Sequence, residues 1–221
     1  GRRQEQMLGQ RVVRHLGAGG FGSVVEATNT LTGKRVAVKC LNSEIADRPD
    51  LVQRFAEEAR VCTRVQHPNV VDVFDLVRDP SGIFIIMELL EGESLAAYLA
   101  RGGGPPPEFI SLLLGAMRGV AAAHQQGIIH RDIKPDNIFL ANPAHGSARR
   151  VKVLDFGISK PMNDNARAMS LAGQIWGTFL YMSPEQLSAA TELDQRSDVW
   201  SLGCVLYEMV TGLAPFQRAT A

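Results

Sequence analysis

His130-Arg131-Asp132-Ile133-Lys134-Pro135-Asp136-Asn137 is followed, eighteen residues after Asn137, by Asp155-Phe156-Gly157. A carboxylate can accept the proton of a hydroxyl, a lysine can neutralise a transferring phosphoryl group, and an amide oxygen can bind a metal ion. The first stretch follows a long helical pattern and precedes a short strand pattern at 138–140. The second directly follows a strand pattern at 151–154. A further oxygen ligand at that strand end completes a set suited to Mg2+, which takes few protein oxygens beside substrate phosphates and water. The bland alternative is a polar loop that collects these residue types by chance. Their order and their flanking strands weigh against it.

Upstream, Gly17-Ala18-Gly19-Gly20-Phe21-Gly22 with Val24 lies between strand patterns at 11–16 and 23–27. Glycines let backbone amides approach phosphate oxygens. A dinucleotide fingerprint shares the spacing but needs a helix after the glycines. A β-rich segment follows here, which leaves a phosphate loop or a plain tight hairpin. In Val36-Ala37-Val38-Lys39, alternation puts Ala37 and Lys39 on one face of a strand. A small residue beside a lysine suits a flat base and its phosphate tail; the other reading is a surface lysine on an edge strand. A helical pattern at 51–65, stopped by His67-Pro68, offers Glu58 as a partner for Lys39. Glu58 could equally be a solvated helix residue.

The rest of the chain sorts into two regions. Before residue 90 the patterns are strands, including 35–41, 70–77 and 83–89, with the single helix at 51–65. After Gly92 they are helices at 95–100, capped by Ser94, at 108–126, with Pro107 in its first turn, and at 194–210. A hinge is expected at 88–92, between regions 12–90 and 91–221. With 45% hydrophobic and 21% charged residues, the composition is globular rather than disordered. Lys plus Arg and Asp plus Glu are both 23, so no net charge favours nucleic acid or an anionic membrane. Cys40, Cys62 and Cys204 fit neither a disulfide framework nor a paired metal motif, which points to reduced thiols and a cytoplasmic location. No apolar run is long enough to cross a bilayer, although an anchor in a longer parent chain stays open.

The glycine loop, VAVK at 36–39, HRDIKPDN at 130–137, DFG at 155–157, Ser183-Pro184-Glu185 and Asp198-Val199-Trp200-Ser201-Leu202-Gly203 together resemble the protein kinases. Phrases such as RFAEEAR, HPNVV, YMSPEQL and SDVWSLG are similar to the bacterial eukaryotic-like serine/threonine kinases. The resemblance covers residues 12–216 and implies an α+β, bilobal kinase-like fold: a small antiparallel β lobe with one main helix, then a mostly helical large lobe. It implies ATP and Mg2+ as cofactors and serine or threonine hydroxyls of proteins, the chain itself included, as acceptors. Asp132 would orient and deprotonate the hydroxyl, and Lys134 would contact the γ-phosphate. Asn137 and Asp155 would bind Mg2+. Lys39 would hold the α- and β-phosphates and pair with Glu58.

The same resemblance makes Gly17, Ala18, Gly19, Gly20, Phe21 and Gly22 the phosphate loop. Leu16, Val24, Ala37 and Leu140 would sandwich adenine, Met87 would be the gatekeeper, and the backbone of Glu88 and Leu90 would bond the adenine edge. Lys134, and Gly177-Thr178 followed by Tyr181, fit the serine/threonine class, with Thr178 near Asp132 and Lys134. Arg131 would receive a phosphate from Ser170, the one hydroxyl side chain in 161–176. Ser183 departs from the family's alanine. The resemblance also implies later helices and an arginine partner for Glu185, so the chain is expected to be incomplete at its C-terminus. Helix 194–210 would then expose apolar surface, with self-association as the consequence. The alternative functional reading is an inactive nucleotide-binding pseudokinase or scaffold. A small-molecule phosphotransferase is disfavoured by the full segment from Asp155 to Glu185.

Overall fold

The computed structural model describes residues 6–7, 9–19, 22–41, 49–79, 82–142, 149–156, 179–188 and 193–216. The chain forms two compact units, Gly1–Gln66 with Val71–Glu91, and His67–Val70 with Gly92–Ala221.

In the first unit, strands β1 (Gln6–Met7), β2 (Gln10–Gly19), β3 (Gly22–Asn29), β4 (Arg35–Leu41), β5 (Val73–Asp79) and β6 (Gly82–Glu88) make one sheet. Their order is β1-β2-β3-β4-β6-β5, and every pairing is antiparallel. Helix α1 (Pro49–Arg64) accompanies them. Strand β4 is apolar at nearly every position because both of its faces are covered. On one face Val36 and Val38 join Val25, Ala27, Phe84 and Ile86. On the other, Leu41 packs with Ile83, Ile85 and Ala59 of α1. Asn29 shapes the β3–β4 turn, its Oδ1 accepting from Leu31 N at 3.0 Å and Thr32 N at 2.9 Å.

Two expectations about strands need correction. The pattern at 11–16 was expected to end at the glycines, yet β2 runs on through Gly17 and Gly19, because ladder pairing uses backbone groups that glycine also carries. The pattern at 70–77 starts later, at Val73. Residues 67–70 instead bind within the second unit: Asn69 O accepts from Val153 N at 2.8 Å, and Asn69 Nδ2 donates to Val151 O at 2.8 Å. Buried Lys152 Nζ donates to Val70 O at 3.0 Å.

The second unit contains β7 (Gly92–Ser94), α2 (Leu95–Ala100), α3 (Pro106–Gln125), a 3-10 turn (Pro135–Asn137), β8 (Ile138–Ala141), β9 (Arg150–Val153), α4 (Pro184–Leu187) and α5 (Arg196–Thr211). Strands β7, β8 and β9 form a second antiparallel sheet. Ser94 caps α2 by accepting from Ala97 N at 3.1 Å. Helix α3 opens on Pro106 and Pro107, where the missing amides cost nothing. It lies tight on β9, since a Cβ at Gly119 would press on the Asn69 carbonyl and Val153. Leu112, Ala116 and Val120 of α3, Ile138, Leu140, Val151 and Val153 of the sheet, and Leu202, Val205 and Met209 of α5 make one core.

Helix α5 was expected to be apolar almost all round. One side is indeed packed in that core, while Val199, Trp200, Leu206 and Val210 are exposed, with Trp200 stacked on Phe216 at 5.8 Å. Glu185 was expected to be a buried carboxylate lacking its partner. It is half-buried, and its Oε1 accepts from Ser197 Oγ at 2.7 Å. That hydroxyl is the main reason its carboxyl is held below the ordinary glutamate value.

Candidate active site

The site residues of the first unit are placed by strand register. Val24 pairs with Lys39, Lys39 with Ile85, and Ala37 with Met87. Cross-strand partners share a face. Val24, Ala37, Lys39 and Met87 therefore line one face of the sheet, the one that α1 covers through Ala59. Lys39 is buried at 9% exposure, whereas Leu16 on β2 is 40% exposed. Glu58 lies on α1 next to Ala59, but its side chain is outside the described residues. Of the glycine loop, Gly17 pairs with Val24, Ala18 with Ser23 and Gly19 with Gly22; Gly20 and Phe21 lie outside the described residues. Gly22 has to be glycine because a Cβ there would overlap the Cys40 carbonyl of β4. Gly17 has open space where its Cβ would be.

Glu88 ends β6, and its N–H donates to Asp72 O at 2.9 Å. Leu90 follows β6 and is half-buried. Sequence reading assigned nothing to Glu26, which pairs with Ala37 and is 3% exposed. Its carboxylate takes Arg14 Nε at 2.7 Å and Arg35 Nε at 2.9 Å, and Arg35 continues to Glu91 at 2.9 Å. The hydrogen bonds from Arg14 and then Arg35 hold the Glu26 carboxyl below its ordinary value. The available signal was an ionisable residue at an inward position of an alternating strand.

In the second unit the structure brings Asp132, Lys134 and Asn137 together. Asn137 Nδ2 donates to Asp132 O at 2.8 Å and to Asp132 Oδ2 at 3.1 Å. Lys134 Nζ lies 3.5 Å from the same Oδ2. Leu154 N donates to Asn137 O at 2.9 Å, which ties this loop to the end of β9, where Asp155 follows with φ +45°. His130 is fully buried and underlies the loop. Asp132 N donates to its Nδ1 at 3.2 Å, so the ring proton sits on Nε2 and faces Leu154 O at 2.8 Å. Burial pushes the His130 imidazolium pKa down, which fits this neutral tautomer. The ring also meets Phe156, with centroids 4.6 Å apart. Leu140 is fully buried in the core of this unit.

Three further residues hold this loop; Asp198 and Gln186 stand in motifs quoted from the sequence, but no role was assigned to them or to His124. Fully buried Asp198 accepts His130 N and Arg131 N, each at 2.8 Å, and His124 Nε2 lies 2.7 Å from its Oδ2. Gln186 Nε2 donates to Arg131 O at 2.9 Å. Their partners lie 55 to 74 residues away, so no local pattern could reveal what they bind. Gly157, Ser170 and Thr178 lie outside the described residues.

The donor chemistry suits a hard cation. With Nδ2 directed at Asp132, the Asn137 carboxamide has its oxygen on the other side, and Asp155 supplies a carboxylate. Among the described residues no helix is long and apolar enough to cross a membrane.

The family model for the protein kinase domain matches residues 10–221. Serine/threonine-protein kinase Pkn1 of Myxococcus xanthus is 43% identical over 210 residues, covering 93% of this chain and 29% of that protein. Serine/threonine-protein kinase pkn2 of the same organism is 40% identical over 207 residues, covering 93% of this chain and 25% of that protein. The chain thus spans less than a third of the length of these two relatives. Among solved structures, a double mutant of the Mycobacterium tuberculosis PknI kinase domain superposes with a TM-score of 0.74 at 25% identity. It covers 96% of this chain and 76% of its own.

Proposed function

This chain belongs to the protein kinase domain family, and from that premise we propose that it transfers the γ-phosphoryl group of ATP to serine and threonine hydroxyls of proteins, itself included. The observation that carries the reading is the Asp132–Lys134–Asn137 cluster. Asn137 fixes the Asp132 carboxylate from its Oδ2 side, and Lys134 stands beside it. Asp132 orients the acceptor hydroxyl and takes its proton, and Lys134 offsets charge on the transferring group. Lys39 reaches the α- and β-phosphates from the sheet face it shares with Val24, Ala37 and Met87. Glu58 is proposed as its partner. Residues 17–22 cover the phosphates, Leu16, Val24 and Ala37 flank the adenine, and the Glu88 and Leu90 backbone bonds its edge, whereas Leu140, first assigned to the adenine, is packed in the second unit's core. Asn137 and Asp155 would hold Mg2+, which when bound neutralises phosphate charge.

The test is Asp132→Asn, with turnover on a generic protein substrate read beside an ATP titration. Turnover should fall about 10²–10⁴-fold, the range for a lost proton acceptor, while nucleotide affinity stays near wild type. Near-normal turnover would remove Asp132 from this role, and a wild-type chain that binds ATP without turnover would favour the pseudokinase reading.

We also propose Ser170 as an autophosphorylation site and Thr178 as part of the acceptor platform. Support comes from Arg131, whose buried Nε has no hydrogen-bond acceptor among the described residues. A phosphate would supply one. Mass spectrometry after incubation with Mg-ATP decides it, and an active enzyme with unmodified Ser170 would count against it. The exposed apolar side of α5 supports self-association of the isolated chain, which light scattering checks. The odd number and wide spacing of Cys40, Cys62 and Cys204 support a reducing, cytoplasmic setting, which fractionation of cells checks.

A further inference from the structure

Arg131 immediately precedes Asp132 and has φ +66°, a left-handed backbone that a branched-chain or long side chain adopts only under constraint. Both polar groups of its main chain are held by side chains far away in sequence. Its N–H donates to Asp198 Oδ1 at 2.8 Å, and its carbonyl accepts from Gln186 Nε2 at 2.9 Å. The other end of the Gln186 carboxamide is also used. Gln186 Oε1 accepts from Ser183 N at 3.1 Å, and Gln186 N returns a bond to Ser183 Oγ at 3.4 Å. Ser183 and Asp198 are both fully buried, so the two anchors are rigid.

We propose that Gln186 is a positioning residue for Asp132. Its carboxamide ties the start of α4 to the Arg131 carbonyl and, opposite Asp198, keeps Arg131 left-handed and the next side chain aimed. The inference rests on the reading of Asp132 as the acceptor of the hydroxyl proton.

The chemistry of the position is specific. The side chain has to donate at one end, to Arg131 O, and accept at the other, from Ser183 N. A carboxamide does both. Methionine has the same length and does neither. An ionised glutamate still accepts from Ser183 but sets a carboxylate against the Arg131 carbonyl. A protonated glutamate regains the donor. A residue that merely capped α4 would need only the bonds to Ser183, and its loss would leave Asp132 untouched.

The test uses Gln186→Met and Gln186→Glu in the full chain, with ATP and a serine-containing peptide. Gln186→Met should lower kcat about tenfold, as expected for one lost hydrogen bond felt in the transition state, and leave the KM for ATP within about twofold. For Gln186→Glu the carboxyl is ionised at neutral pH, so kcat should fall at least as far as in Gln186→Met even though the bond from Ser183 N is kept. Independently of turnover, hydrogen exchange at the amides of Arg131 and Asp132 should accelerate in Gln186→Met, with α3 unchanged. Wild-type kcat together with wild-type exchange at 131–132 in Gln186→Met overturns the proposal, as does wild-type kcat in Gln186→Glu. A wild-type chain without phosphoryl transfer would sink the kinase reading instead, and the exchange measurement would still decide whether Gln186 holds Arg131.

Discussion

The loop at 130–137 and the sheet face carrying Val24, Ala37, Lys39 and Met87 are built by different physics. In the loop, remote polar side chains hold the backbone: Asp198 takes two amides, Gln186 takes a carbonyl, and Asn137 takes the carbonyl and carboxylate of Asp132. On the sheet, register alone puts the four residues on one face. A loop of this kind has no ladder to fall back on. It should fail when a distant acceptor is deleted, while the sheet should fail only where its strands can no longer approach each other.

Asp198→Ala is the strongest way to break the contrast. It strands the amides of His130 and Arg131 in a buried site, at about 1–3 kcal/mol for each unmet donor. We expect a loss of at least about 3 kcal/mol in unfolding free energy and turnover down by more than about 100-fold, with the first unit's strands retaining their exchange protection. Equal loss of protection in both units would mean that the two regions are not separately built. Asp198→Asn, which keeps the shape but presents one amide end to the donors, should fall between Ala and wild type.

Gly22→Ala is the matching change on the sheet. The new Cβ meets the Cys40 carbonyl, and overpacking of this sort costs about 1–3 kcal/mol. ATP affinity should weaken while hydrogen exchange at 130–137 stays as in wild type. Wild-type ATP affinity and stability together would show that β3 and β4 can separate at Gly22 without consequence for the nucleotide face.

The same contrast explains what could be read from sequence. Strand β4 and helix α2 were legible because their signals are local: VAVK alternates, and Ser94 stands where a cap should. The catalytic cluster was legible because its residue types are close together in the chain. Strand β7 was not, since its three residues have no apolar period and are extended by pairing with β8. The departure of 67–70 from the first unit depends on bonds to β9, more than 80 residues away. The contributions of His124, Gln186 and Asp198 are of the same long-range kind. Their types were visible, but the groups they would meet were not.

Glu26 sharpens the comparison at the smallest scale, because there ionic side chains also hold the sheet. Arg14 and Arg35 are more than half exposed, so solvent screens much of the attraction even though Glu26 itself is buried. Glu26→Gln should therefore destabilise only modestly at neutral pH and leave turnover near wild type. The pH dependence fixes the cause. The two arginines lower the folded-state pKa of Glu26 below its ordinary value of 4.5. A depressed carboxyl pKa stabilises the fold fully above the unfolded value, and the contribution is lost as pH falls through the folded one. Thermal unfolding of wild type and Glu26→Gln should thus differ most near neutrality and converge below the ordinary glutamate range. A gap that persists unchanged into strong acid would mean that shape and packing, rather than the carboxylate's charge, explain why a glutamate stands opposite Ala37.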